Sequence, residues 1–227
     1  MFINPFIITN IIPILYFFFT CLLVNSLYSN QKVLSIFRIN GEIHPKESFS
    51  CSNLIKSMSC FFTFTVLLYY YMTDIINGHY PNTAIRSIAM AYMAVDLMCL
   101  IKVKKHLTKS VVQHHYSIIF LVLVAMCVDF NNSNIGQLGL FFLFIVTATF
   151  PVNLYFALKP YYKIDWLLQI SKYDYLATMV GYVIYLALNW EYSIWGVLYL
   201  VGITPLFIAD AKQLKHLFQE KPGKVLL

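Results

Sequence analysis

Seven apolar stretches, each near the length that crosses a hydrocarbon layer, make up most of this chain. A bilayer core of roughly 30 Å needs about 20 apolar residues in a helix. The stretches lie at about residues 6–27, 57–76, 83–101, 110–128, 135–158, 174–189 and 192–209. Of the 227 residues, 59% are hydrophobic and only 11% charged, where a soluble domain carries about 25%. So few charges cannot cover a surface in water. The fold class expected is an all-α polytopic membrane protein with about seven transmembrane helices. Residues 1–54 read as an anchor helix and its connection, 55–210 as the main bundle and 211–227 as a basic tail.

The basic residues test this partition. Counted over the connections, 15 of the 16 Lys and Arg fall on one side of the seven spans, Arg86 being the exception. By the positive-inside rule that side is cytosolic, which places the N-terminus in the lumen and the C-terminus in the cytosol. Six or eight spans would break the alternation. The N-terminus lacks the basic region of a cleavable signal, so the first helix is expected to remain as an anchor. In the one long connection, about residues 28–56, Val33, Leu34, Ile36, Phe37 and Ile39 suggest a piece lying on the membrane surface, an ordered loop being the plainer reading. The five cysteines lack CxxC spacing and read as small buried hydrophobes.

Polar groups inside the spans carry the functional question, because an ionisable group at that depth normally faces a protein interior or a wet cavity. His114 and His115 sit side by side at the start of the fourth stretch. At 1.5 Å per residue they lie roughly 8–9 Å from its cytosolic end. Asp96 on the third stretch and Asn153 on the fifth reach a similar depth, about 9 Å. Consecutive helices are usually neighbours, so Asp, His-His and Asn are expected to line one cavity open toward the cytosol. A neutral imidazole oriented by a carboxylate is a general base, and it can also attack an activated acyl group. The plainer alternative is a buried Asp–His pair that joins two helices. Adjacent histidines lack the i, i+4 spacing of a helical zinc site, and no metal is expected.

Lys102, Lys104, Lys105 and Lys109 flank the expected cavity mouth. Anchoring to anionic lipid heads is their ordinary role, with contact to the phosphates of an acyl-CoA as the sharper one. Pro13, Pro151 and Pro205 are expected to bend their helices, and the bend at Pro151 would help open the cavity beside Asn153. Asp174 and Asp210 read as solvated helix-end residues. No nucleic-acid signature is present.

The motif order resembles the TLC (TRAM/Lag-type) domain family. Asp96 closes Ala91-Tyr-Met-Ala-Val-Asp-Leu before a basic loop. Val112-Gln-His114-His115 opens the next helix, and Thr147-Ala-Thr-Phe-Pro151-Val-Asn153 precedes a basic exit. The resemblance covers about residues 55–210. It implies a helical bundle around a lipid-sized cavity, work on lipids, and residence in the endoplasmic reticulum or another endomembrane. Ceramide synthases of that family transfer an acyl chain from acyl-CoA to a long-chain amine and carry further acidic residues on the next helix. Here no Asp or Glu occurs between Asn131 and Ile164, which sets the chain closer to the subgroup linked to membrane lipid composition. The expected function is lipid binding or regulation of membrane lipid composition. The alternative is an acyl-CoA-dependent acyltransferase with His114, His115 and Asp96 as catalytic residues and Asn153 and Pro151 in support. Membrane lipids and acyl-CoA are the expected partners or substrates, with no other cofactor.

Overall fold

The computed structural model describes residues 5–36, 38–39, 42–43 and 47–220. The helices are α1 (Pro5–Ser29), α2 (Gln31–Ser35), α3 (Glu47–Val66), α4 (Met72–Ile76), α5 (Asn82–Val103), α6 (Lys109–Ala125), α7 (Asn134–Ala148), α8 (Phe150–Leu158), α9 (Asp165–Leu188) and α10 (Ile194–Gln219). A π-helical turn at Leu67–Tyr71 joins α3 to α4 in one rod, and a 3-10 turn at Lys104–His106 extends α5. A minimal antiparallel pair, β1 (Arg38–Ile39) and β2 (Glu42–Ile43), lies in the long connection. Among the described residues, five helical segments are long and apolar enough to cross a membrane: Thr9–Ser29, Glu47–Ile76, Asn82–His106, Asn134–Leu158 and Ile194–Gln219. Helix α6 is apolar but shorter, and α9 carries Asp165, Lys172 and Asp174 in its first half.

Local sequence sets where the rods begin. Thr108, Ser133 and Ser193 are extended N-cap residues, and their hydroxyls accept from the N–H of Val111, Gly136 and Gly196. Such caps satisfy donors that the first helical turn leaves unpaired. The Thr108 cap fixes the phase of α6 and so the directions in which His114 and His115 point. Between α7 and α8 the helix breaks at Thr149, with Pro151 in the first turn of α8. This is the bend expected at that proline. Two hydroxyls from neighbouring rods tie it down: Ser57 of α3 donates to the Phe150 carbonyl at 2.9 Å and Ser171 of α9 to the Pro151 carbonyl at 3.1 Å.

The rods close into a ring. Helix α5 packs on α6, α6 on α10, α10 on α9, α9 on the α7–α8 rod, that rod on α3, and α3 back on α5. Helix α1 stands outside the ring against α5. Hence α5 is the most interior segment, with 72% of its apolar window buried against 11% for α1. Outward-facing side chains include Leu15, Phe19, Leu22, Phe62, Tyr69 and Ile184, all more than half exposed. An apolar surface of that extent needs lipid as its solvent. One half of the ring interior is filled by a core that includes Tyr92, Ile118, Leu121, Phe130, Leu138, Tyr182 and Ile203. The hydroxyls of Tyr182 and Tyr199 are hydrogen-bonded within it.

Three expected boundaries are corrected. Helix α3 starts at Glu47, not near residue 57, so Lys56 belongs to a buried helix face and not to a connection. Helix α9 starts at Asp165 and takes in Lys172, again ahead of the expected start at 174. Helix α10 runs to Gln219, so the first part of the expected 211–227 tail is helix, with Leu217 fully buried. The physical reason is common to all three. These helices continue past the apolar stretch because their polar residues find partners inside the ring. In the long connection, Val33 and Leu34 pack against the buried cluster of Val24, Cys51, Ile55, Val95 and Met98, while Ile36 is exposed. Phe37 and residues 221–227 lie outside the described residues.

Candidate functional site

A cavity of about 980 Å³ occupies the other half of the ring, at the upper end of the range for ligand sites. All six rods of the ring line it and α1 does not. It reaches the end of the ring where the α5–α6 and α8–α9 connections lie, with His106, Leu107, Thr108 and Pro160 at its edge. Its floor is apolar and aromatic, formed by Phe142, Ile145, Val146, Met179, Tyr182 and Phe207. Beyond the floor lies a narrow apolar void of about 40 Å³.

The expected residues converge on the wall of this cavity. His114, His115 and Asn153 line it, and Asp96, fully buried, stands directly behind His115. Each histidine turns its Nδ1 to a different carboxylate. His114 Nδ1 lies 2.6 Å from Asp210 Oδ1 of α10, within hydrogen-bonding angles. His115 Nδ1 lies 3.1 Å from Asp96 Oδ1 of α5. The two rings meet edge to face, 5.5 Å between centroids. Adjacent helical residues point about 100° apart, and here that divergence sends one histidine to each neighbouring rod. His115 is 3% exposed and His114 is half-buried and more open to the cavity.

Sequence reasoning missed two members of this cluster. Lys56 of α3 places its Nζ 2.7 Å from Asp96 Oδ1 and lies over the Tyr92 ring, 5.4 Å from its centroid. Its signal was present as a polar stripe at i, i+4 spacing, Ser52, Lys56 and Cys60, all buried. Asp210, expected to be solvated, is 8% exposed and also touches the Tyr175 hydroxyl. It continues the buried stripe Tyr199, Ile203, Leu206 of α10. The approaches of Lys56 and His115 to Asp96 are close but bent away from hydrogen-bond angles, and Asp96 Oδ2 makes no hydrogen bond. The Asp210–His114 contact is therefore the better aligned of the two pairs.

Two further expectations meet their geometry here. Lys102, Lys104, Lys105 and Lys109 are all exposed and none lines the cavity; the lysines that do are Lys56, Lys159 and Lys212. Lys104 donates instead to the Tyr116 hydroxyl at 3.1 Å on the outer face. Asp96, His114 and His115 can each offer one donor atom, all within 4.8 Å of one another. That is compact enough for a cation, but Lys56 already holds the carboxylate, and a divalent ion would have to displace its ammonium. The donor set as it stands suits proton transfer and hydrogen bonding.

A second polar group closes the wet end. Glu220, just past α10, accepts from the Tyr155 hydroxyl and the Lys159 ammonium of α8. Lys172 of α9 donates to the Glu220 backbone carbonyl at 3.3 Å, and His216 Nε2 lies 3.4 Å from the carboxylate. Burial opposes ionisation of Glu220, but the Lys159 and Tyr155 hydrogen bonds prevail and hold its carboxyl below the ordinary value of 4.5.

Comparisons with protein-family models, curated proteins and solved structures find no match.

Proposed function

We propose that this chain is a TLC-type lipid-handling membrane protein that holds one amphiphilic lipid inside the ring. The chain of the lipid lies on the apolar floor and its polar junction meets His114 and His115. The observation that carries this reading is the cavity itself, a pocket of about 980 Å³ with an aromatic floor and two carboxylate-held histidines on its wall. The basic-residue asymmetry supports seven spans, a lumenal N-terminus and a cytosolic cavity mouth. The family resemblance favours an endomembrane and a role in lipid composition. A transporter reading is disfavoured by the packed aromatic core beyond the floor.

The test is lipid retention. The purified protein should carry one defined amphiphile at near-equal stoichiometry, and Val146→Trp, which fills the floor, should lose it while the helices remain folded. Equal retention by both proteins would reject the cavity as the binding place.

A second reading is favoured by one specific contact, the Asp210–His114 hydrogen bond. A carboxylate on Nδ1 leaves Nε2 as the basic atom, the arrangement that acyl transfer from acyl-CoA would use. The acyltransferase reading predicts acyl transfer, or a covalent acyl adduct, abolished in His114→Ala with the fold retained. Wild-type protein that neither transfers nor accepts an acyl group would reject it.

A further inference from the structure

The wet end of the cavity is unusually cationic for a buried place. Lys159 is 16% exposed and sits 4.7 Å over the Phe156 ring. Lys172 is 7% exposed and lies over Phe218. His216 and Lys212, both exposed, line the same mouth. A buried ammonium is costly unless an opposite charge meets it. Glu220 is the acid that meets Lys159 and His216, and it does so from the C-cap of α10. Tyr155, 7% exposed, adds a hydroxyl donor to the same carboxylate. Tyr155, Lys159 and His216 thus converge on one carboxylate above an apolar floor, with Lys172 on the backbone carbonyl of the same residue, the plan of a site for a negatively charged head.

From this arrangement we infer that the mouth is a headgroup site for an anionic single-chain amphiphile, with the Glu220 carboxylate occupying the anion position until the ligand displaces it. The inference rests on the lipid-binding reading above and adds the ligand's charge. The shared chemistry is a carboxylate or phosphate head on an alkyl chain. Lys159 and the Tyr155 hydroxyl, which now hold the Glu220 carboxylate, would bind the head through charge-assisted hydrogen bonds, which are stronger than neutral ones. Released Glu220 would turn its carboxylate to solvent, with Leu217 keeping the last turn of α10 packed. A neutral head would leave Glu220 in place and gain nothing from the lysines.

The experiment compares hexadecyl phosphate, palmitate, hexadecanol and inorganic phosphate on the purified full chain, by displacement of a fluorescent fatty-acid probe. The two anionic amphiphiles are expected to bind about tenfold or more tighter than hexadecanol. Lys159→Gln should remove that preference, the anionic amphiphiles then binding no tighter than hexadecanol, while circular dichroism in detergent reports the intact helical fold. Glu220→Gln should tighten anionic binding several-fold, because the internal competitor is gone. Hexadecanol binding as tightly as hexadecyl phosphate would overturn the headgroup site and leave the lipid cavity standing. Inorganic phosphate competing as well as hexadecyl phosphate would overturn it in favour of a site for soluble phosphate. Failure of every amphiphile to bind would overturn the lipid reading and this inference together.

Discussion

Lys56 and Asp96 meet 2.7 Å apart between α3 and α5, in a place where the lysine is 8% exposed and the aspartate not at all. Neither charge can be carried there alone. Removing one partner of a buried pair leaves an uncompensated charge and costs about 3–5 kcal/mol, whereas replacing both with apolar residues can be nearly neutral. Lys56→Met and Asp96→Leu should therefore each lower the unfolding temperature in detergent strongly, and the double variant less than the sum. Additive losses would mean that the two side chains do not act as a pair.

The two histidines should be separable. With Asp210 on His114 Nδ1, the neutral His114 ring carries its proton on Nδ1 and leaves Nε2 bare. Nitrogen NMR of labelled histidine should show that tautomer, and Asp210→Asn should change the His114 signals far more than those of His115. A response of equal size at both rings would contradict the separate partners.

Gly202 sets how near α10 comes to α6. A Cβ added there would meet Leu121 Cδ2 and Phe120 Cδ1 at 2.7 Å and Leu121 Cγ at 2.9 Å. Small residues permit such close helix approach in membranes. Asp210 lies eight residues further along the same helix, about 12 Å away along the axis, so the glycine helps bring it within reach of His114. Gly202→Val is expected to destabilise the protein by about 1–3 kcal/mol through overpacking and to lengthen the Asp210–His114 contact. Its readout is the unfolding temperature together with the His114 nitrogen shifts; an unchanged pair of values would remove Gly202 from the account.

Acid should loosen the mouth. The Glu220 carboxyl is held below its ordinary value of 4.5, so its contacts stabilise the folded protein fully above that value. The contribution is lost as pH falls below it and through the lower folded-state value. Wild type should exceed Glu220→Gln in unfolding temperature at pH 7, and the gap should shrink as the pH falls below about 4.5. A gap that widens on acidification would reverse the sign and refute the contact.

Much of the architecture was legible in the sequence because hydrophobic length and the distribution of lysines are strong signals. Each of the seven apolar stretches is matched by a helical rod, and the ring places His114, His115 and Asn153 on one pocket wall, with Asp96 buried behind His115 and not lining it. Lys56, Asp210, Lys159, Lys172 and Glu220 were not legible in the same way. Charged residues near the ends of apolar stretches read as solvated, and only helix phase separates those that face inward. For Lys56 the phase was available in the stripe from Ser52 to Cys60. For Glu220 it was not, because its partners on α8 and α9 lie roughly 50–65 residues away in the chain. The closure of the ring, which makes those partners neighbours, is a tertiary fact.

What fills the cavity decides whether the ring holds a lipid. Lipid and intact-mass spectrometry of the protein purified from its membranes, as wild type, Val146→Trp and His114→Ala, measures that directly. The account predicts one defined amphiphile per wild-type protein, lost in Val146→Trp and kept, non-covalently, in His114→Ala. Identical mixtures of bulk membrane lipids on all three proteins, or none on any, would contradict it.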